Sequence, residues 1–367
     1  MQRSELDLLT DAAHEVYALY RKNHHRNDLD SALKNFQAVL EQCPVGHPHR
    51  AAALSNLAHV ILYGFTKEEQ TDIDDAISLF RSALALCPQG HPDHLLSIFN
   101  LCKALRQRYS RLRDHTDLRE AVKRLLDLLP TCLEGSYLQL CVIEECNTLP
   151  RDPSDESISL RRIVLELCPQ GHRHHARSLN RLAGDLYTRF EQSGNIDDIN
   201  EATHLLREAL AACDGDGERS FYLSVLSYTL KLRFHRLHHT ADINECISLS
   251  REALSLHPPG HSARPRSLNN LAKALKARYD QYENAADLKE SNDLDKAAHD
   301  ECSENPGILW NQDGDEYIDV GQLSRTPGPG DGQRQHPSVK SPLNDHQVRA
   351  SLPNFYLCPK KTTDTMS

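Results

Sequence analysis

Three short stretches of the chain pair a cysteine with a histidine four positions on: CPVGH from Cys43, and CPQGH from Cys87 and again from Cys168. Thiolate and imidazole are the ligands of structural zinc, and the nucleophile and base of thiol enzymes. A structural zinc needs about four ligands, with sulfur at ~2.3 Å. One stretch supplies two, and equivalent positions on packed helices stand ~8–10 Å apart, too far to share an ion. Degenerate copies hold His257 in the cysteine position and Ser136 in the histidine position, so no metal is expected. A catalytic nucleophile is normally unique, whereas most of these cysteines belong to a recurring column. A Ser–His–Asp set is left open by sequence alone, but nothing singles out its members. The histidine-rich spots GHRHHARS (171–178) and RFHRLHHTAD (233–242) read as solvent-facing helix ends and loops. A calcium loop with Gly314 at position 6 would put Leu309 and Val320 at ligand positions 1 and 12, and Glu316 at the apolar position 8. GPGDG (328–332) lacks the Lys-Ser/Thr of a phosphate loop. No catalytic residue and no cofactor is expected.

The recurrence itself is the stronger signal. The turn sits at Cys43, Cys87, Cys132 (CLEGS), Cys168, Cys213 (CDGDG), His257 (HPPGH) and, as a trace, Cys302; the intervals are 44, 45, 36, 45, 44 and 45 residues. Such periods mark repeat architectures. Other columns keep step. An acid followed by an apolar residue recurs at Asp28-Leu29, Asp72-Ile73, Asp117-Leu118, Asp198-Ile199, Asp242-Ile243 and Asp287-Leu288. An aromatic precedes it at Tyr20, Phe65, Tyr109, Phe190, Phe234 and Tyr279. A small-residue step lies further upstream at Leu57-Ala58, Leu101-Cys102, Leu182-Ala183, Leu226-Ser227 and Leu271-Ala272. The fourth unit lacks about nine residues and the aromatic, so its first helix is expected to be short.

Each unit must hold two helices. HRAAALSNLAHVILYGF has apolar residues at helical spacing, and TDIDDAISLFRSALALC opens on acids that suit a helix N-terminus, with Thr71 or Asp72 as cap. Gly46, Gly90, Gly171 and Gly260 follow the second helices, where glycine takes the left-handed conformation that ends a helix; the proline before each stops continuation. The Cys is read as a small buried side chain, and the His as a group that caps or packs at the turn.

Small–large–small–Pro spacing in the second helices (Ala76, Phe80, Ala83, Pro88; Ala32, Phe36, Val39, Pro44) resembles the signature of tetratricopeptide (TPR) repeats, and Leu57-Ala58 resembles their first-helix pair. The long period is similar to kinesin-light-chain-type arrays, and the wording of the turn to fungal aromatic di-alanine arrays associated with CHAT peptidases or NTPases. The resemblance covers about 5–302 and implies an all-α, right-handed α-α superhelix of about seven helix pairs, occupying 1–302. It also implies that first helices line a concave groove. Its ligand-facing residues would be Asn56, Asn100, Lys103, Arg106, Arg177, Asn180, Arg181, Tyr228, Lys231, Arg266, Asn269, Asn270, Lys273 and Lys276, with His59 beside them. That groove is basic and asparagine-rich, fitted to an extended acidic peptide or a C-terminal carboxylate. The function expected is a non-catalytic protein-interaction scaffold; the alternative is a regulatory module of a CHAT-peptidase or NTPase system whose catalytic domain lies elsewhere. Asp295, where a large apolar residue is expected, marks the seventh unit as either a cap or partly unfolded.

Composition sets the remaining bounds. A net charge of −10 argues against general nucleic-acid binding. Eleven cysteines with no CxxC pair and no secretory signal point to reduced thiols in the cytoplasm or nucleus. No stretch approaches the ~20 apolar residues of a membrane span. The segment 303–367, rich in Gly, Pro, Asp and Gln, reads as a disordered tail, a linker or a misassigned gene end, with Thr326 and Ser341 before prolines as candidate phosphosites.

Overall fold

A computed structural model describes residues 4–67, 71–213 and 215–304; the sequence readings that fall from 305 onward lie outside the described residues. Among the described residues every regular element is helical, and the all-α, TPR-like helix-pair architecture is present. They form two compact units, one up to Val142 and one from Ile143 on.

The first unit contains the pairs α1 (Glu5–Asn23) with α2 (Arg26–Glu41), α3 (Arg50–Thr66) with α4 (Ile73–Leu86), and α5 (His94–Leu112) with α6 (His115–Leu128). A short 3₁₀ turn, Leu129–Thr131, follows, and α7 (Tyr137–Thr148) begins there. The second unit holds the rest of α7, then α8 (Asp155–Glu166), α9 (His175–Ser193) with α10 (Ile196–Ala212), α11 (Asp216–Leu237) with α12 (Thr240–Ser255), and α13 (Arg264–Tyr282) with α14 (Ala285–Glu304). Helix α7 has 12 residues against 19 in α9, as the shortened fourth unit requires. Pairing is antiparallel. Moving forward along α5 from Cys102 to Arg108, contacts move backward along α6 from Ala121 to Asp117. Four of the six expected aromatics are core: Tyr20, Tyr109, Phe190 and Phe234 are buried with Phe36 and Phe80 of the second helices, while Phe65 and Tyr279 are half-buried. Asp295 is exposed on an unbroken α14.

The Cys-Pro-x-Gly-His turn is resolved as a set of hydrogen bonds. The Cys N–H donates to the carbonyl three residues back, and the His N–H to the Pro carbonyl at 2.9 Å in all three full copies. Gly46, Gly90, Gly171 and Gly260 have φ between +86° and +92°, a region where an L side chain is strained. The histidine ring then accepts the N–H two residues on: His47 Nδ1 from His49 at 3.2 Å, His91 from Asp93 at 3.1 Å, His172 from His174 at 3.2 Å and His261 from Ala263 at 3.1 Å. Seven residues after the cysteine, a ring or guanidinium returns to its carbonyl. His94 Nδ1 and His175 Nδ1 reach Cys87 O and Cys168 O at 2.7 Å, and Arg50 Nη1 donates to Cys43 O at 2.6 Å. The turn's imidazole therefore fixes the residue that precedes the next helix, and the group seven residues after the cysteine closes on the end of the preceding one.

Of nine described free cysteines, seven are buried and two, Cys141 and Cys213, are half-buried. Burial pushes the thiols of Cys87, Cys132, Cys168, Cys213 and Cys246 up, away from the reactive thiolate. A water-soluble alkylating reagent at neutral pH is expected to modify Cys141 and Cys213 first among these nine, and the others only on unfolding. Peptide mapping by mass spectrometry reads the order, and rapid native labelling of Cys87 or Cys168 would refute it.

A second column does its work through charge. The residue before the aromatic is arginine in four units, and each guanidinium grips the Asp nine residues later with two hydrogen bonds: Arg108–Asp117 (2.8 and 2.5 Å), Arg189–Asp198 (2.8 and 2.7 Å), Arg233–Asp242 (2.8 and 2.5 Å) and Arg278–Asp287 (2.8 and 2.7 Å). All four carboxylates are buried. The third guanidinium nitrogen reaches the preceding pair, at Asp74, Asp155, Asn200 and Asn244 respectively. One side chain thus closes its own hairpin and sets the register of the one before it. The Asp hydrogen bonds hold Arg108, Arg189 and Arg278 above the ordinary arginine range. Where the column holds Leu19 or Gly64 instead, the acid stays on the surface. Asp72 there is the exposed N-cap, accepting from Asp74 N at 2.8 Å. At Gly64 a Cβ would lie 2.9 Å from Thr71 Cγ2 and 3.1 Å from Leu29 Cδ2, so this hairpin closes by contact where four others use a clamp.

Candidate partner-binding faces

The first-helix residues expected to face a ligand divide by depth. In the first unit, Asn56 and Asn100 are buried, and Lys103 and Arg106 are half-buried. His59, one turn after Ser55, points its Nδ1 to the Ser55 carbonyl at 2.8 Å, hydrogen-bonds Asn100 and packs edge-on against Phe80. Burial, reinforced by the Lys103 charge, pushes His59 down to about 4. The Lys103 ammonium lies over the Phe99 ring at 5.6 Å. Ser55 Oγ, Asn56 Oδ1 and Asn100 Nδ2 are enclosed atoms with no hydrogen-bond partner in the structure. Asn56 and Asn100, placed by sequence on the open groove, lie beneath its surface.

In the second unit, Asn180 and Arg181 are buried on α9, while Arg177 is half-buried one turn before Arg181. On α11, Tyr228 is 37% exposed and Lys231 half-buried, with the Lys231 ammonium 5.2 Å from the Tyr228 ring centre. Tyr187 joins them: its hydroxyl donates to Glu191 Oε1 at 2.6 Å and lies 3.4 Å from the Tyr228 hydroxyl, and its ring carries the Arg151 guanidinium at 5.9 Å. Burial and the Glu191 hydrogen bond push the Tyr187 phenol up. On α13, Asn269, Asn270 and Lys273 are half-buried, and Arg266 and Lys276 exposed. Lys276 pairs with Asp280 and lies over the Tyr279 ring at 4.9 Å. The result is a stripe of guanidinium, phenol and ammonium groups over three successive first helices.

Sequence reasoning passed over Arg151 and Arg161, which belong to the irregular fourth unit. Arg161 is 1% exposed and Asp185 0%; they pair at 3.0 Å, and Asp185 also accepts from Ser157 Oγ at 3.0 Å and Asp152 N at 3.2 Å. Arg161 donates further to the Cys146, Leu149 and Pro150 carbonyls. A signal was available. Arg161 stands in the column of Phe36 and Phe80, and Asp185 in that of Val60 and Ala104. Opposite charges had entered two apolar columns.

A Ser–His pair of the kind a hydrolase uses does occur. His257 Nε2 lies 2.8 Å from Ser220 Oγ, and Nδ1 lies 2.7 Å from Ser267 Oγ. Both hydroxyls are buried, and a second hydroxyl stands where a carboxylate would hold an imidazolium. His257 occupies the cysteine column, ten residues before Ser267 as Cys87 is before Ser97, and bridges two helices. Among the described residues no three His, Cys, Asp or Glu side chains converge to hold a metal ion, and no helix is long and apolar enough to cross a membrane.

No protein-family model and no curated protein matches the chain. Solved helical-repeat structures do, at low identity. A Podosopora anserina structure described as kinesin light chain nearly identical TPR-like repeats is 15% identical, covering 71% of this chain and 98% of its own, with a TM-score of 0.35. BtubC (BKLC) from P. vanneervenii is 15% identical over 92% of this chain and 100% of its own, TM-score 0.33. The S. pombe nuclear import adaptor Nro1 is 12% identical over 86% and 96%, TM-score 0.32. The repeat architecture of this chain rests on its own columns of Cys, Gly, His, Arg and Asp.

Proposed function

We propose that the chain is a non-catalytic scaffold whose second unit takes an extended acidic segment of a protein partner along the faces of α9, α11 and α13. One observation carries this reading. Arg177, Arg181, Lys231, Lys273 and Lys276 gather there with Tyr228, in a chain of net charge −10. Planar guanidinium and mobile ammonium groups suit carboxylates, and an exposed phenol ring supplies apolar contact at low entropic cost. A local gathering of basic groups steers an acidic ligand even where the chain as a whole is acidic.

Charge reversal tests it. The double variant Lys273→Glu, Lys276→Glu is expected to weaken binding of acidic peptides selected from a random library by about tenfold or more, since each reversed charge adds repulsion to a lost attraction. Affinity should fall with added salt in the unaltered protein and lose most of that dependence in the variant. Equal affinities for both proteins across the salt series would sink the reading.

A further inference from the structure

Among the described residues two arginines are buried, Arg161 and Arg181, and only the first has an ion-pair partner; four half-buried arginines are paired as well. Arg161 has Asp185 and three carbonyls, and Arg108, Arg189, Arg233 and Arg278 each have an Asp. Arg181 is 7% exposed, deeper than those four, yet its Nε is enclosed without a partner. No carboxylate is available to it. Asp185, one turn on, is committed to Arg161, Ser157 and the Asp152 N–H. Around it stand more positive charges. Arg177 precedes it by one turn, and Arg151 lies along the same helix face, its Nε 3.0 Å from where a Cβ on Gly184 would be. Arg181 thus feels three guanidinium charges, Arg161, Arg177 and Arg151, against the one carboxylate of Asp185. Burial first, then the Arg161 and Arg177 charges, pushes Arg181 down to about 9, so it still carries its proton at neutral pH.

The column makes this costly arrangement informative. The residue before the Leu-Ala step is Asn56, Asn100 and Asn270 in three other units and Val225 in a fourth, all uncharged. Here it is a charge, held in a site that destabilises it. An unpaired buried charge costs several kcal/mol in general, and placing one beside two more asks for an anion. The excess over Asp185 is three charges. One carboxylate would cancel one, whereas a phosphomonoester carries about −1.5 to −2 at pH 7 and offers three oxygens to forked donors. Gly184 leaves the helix face bare where Arg151 crosses it, and Tyr187 and Tyr228 continue that face toward Lys231.

The geometry points to a phosphate-accepting subsite formed by Arg181, Arg177 and Arg151, whose ligand is a phosphorylated side chain on a protein segment lying along α9 and α11. It rests on the groove reading for the source of the phosphate, though not for the site itself. Arg181→Asn restores the residue of the column and removes the charge. Three results are expected. Without ligand, R181N melts roughly 3 °C or more above the unaltered protein, because an unpaired buried charge is gone. Inorganic phosphate raises the Tm of the unaltered protein in a saturable way, as ligands that bind the native state do; acetate at equal ionic strength does not, and R181N responds to neither. A phosphoserine peptide from the library binders binds about tenfold tighter than its unphosphorylated form, and R181N erases the difference. Arg177→Gln, which leaves Arg181 in place, should weaken the phosphate response without the rise in Tm. The subsite is refuted if phosphate stabilises R181N as much as the unaltered protein, or if acetate does as well as phosphate. A phosphate response with no preference for phosphopeptides overturns the protein source and leaves free phosphate as the ligand. Phosphate binding with no peptide binding at all removes the groove reading while the Arg181 site stands.

Discussion

Arg161→Ala is expected to cost the second unit about 3–5 kcal/mol, the range for breaking a buried ion pair by removing one partner. The site explains why the effect should be large. Helix α7 is short, and few backbone N–H groups follow to donate to its last carbonyls: Leu149 N–H reaches Cys146 O at 3.2 Å, and Pro150 has none to give. Arg161 donates to the carbonyls of Cys146, Leu149 and Pro150 while pairing with Asp185. Its charge also complements the negative end of the α7 dipole. Alanine strands the Asp185 charge and the Leu149 and Pro150 carbonyls together, while the Cys146 carbonyl keeps the Leu149 N–H. The double variant Arg161→Leu, Asp185→Val returns apolar side chains to both columns and removes the stranded charge, so it should recover part of the loss. What it fails to recover measures the capping of α7. Repeat chains lose two-state cooperativity readily, so hydrogen exchange of the α7, α8 and α9 amides in native buffer is the direct measurement. Protection in R161A within about 1 kcal/mol of the unaltered protein would show that water satisfies those carbonyls and that the pair is dispensable.

Arg161 also shows what the sequence displayed and what it hid. The helix pairs were legible because their signals are local and repeated: a glycine needing positive φ, a proline before it, small and aromatic residues at fixed offsets. The histidine was legible only as a group that caps or packs at the turn. The arginine clamp was harder to see. Its two ends are nine residues apart across a turn, a spacing that belongs to neither helix's periodicity, so the Asp column read as helix-terminal acid and the arginine before each aromatic passed unremarked. The caps of the first helices were hidden altogether. His24, Arg113, His238 and Glu283 adopt φ between +54° and +57° with no glycine to announce it. Asn56 and Asn100 were misplaced in depth for a related reason. A position on the first helix can face a ligand or the neighbouring first helix, and these differ by less than one residue's rotation. His59 and Asn100 touch each other between α3 and α5, which resolves these positions as a seam. Basic residues one turn further on, at Lys103, Lys231 and Lys273, keep partial exposure.

The same seam sets the second large effect, a loss of stability in acid. His59 is held down to about 4, chiefly by burial and then by Lys103, against hydrogen bonds to Ser55 and Asn100 that favour the proton. Unfolded, it would titrate near 6.5. The unfolded chain therefore binds more protons than the folded chain between these values, and stability must fall as pH falls. The contribution is complete above about 6.5, declines through the window and is gone near 4. At 1.36 kcal/mol per unit, it amounts to on the order of 3 kcal/mol for this one ring. His174, at the start of α9, is also held to about 4 by burial and by the Arg173 charge, and His14, His172, His235 and His257 are lowered too. All six shifts have one sign, so the losses add. His59→Gln keeps a donor for the Ser55 carbonyl and cannot be protonated. Its stability at pH 5 should therefore fall less, relative to pH 7.5, than that of the unaltered protein, and the difference should appear in exchange of the α3 and α5 amides while α11 and α13 are unmoved. If H59Q and the unaltered protein lose protection in α3 equally between these pH values, the buried imidazole is not what acid unlocks. The loss would then lie with the other five rings.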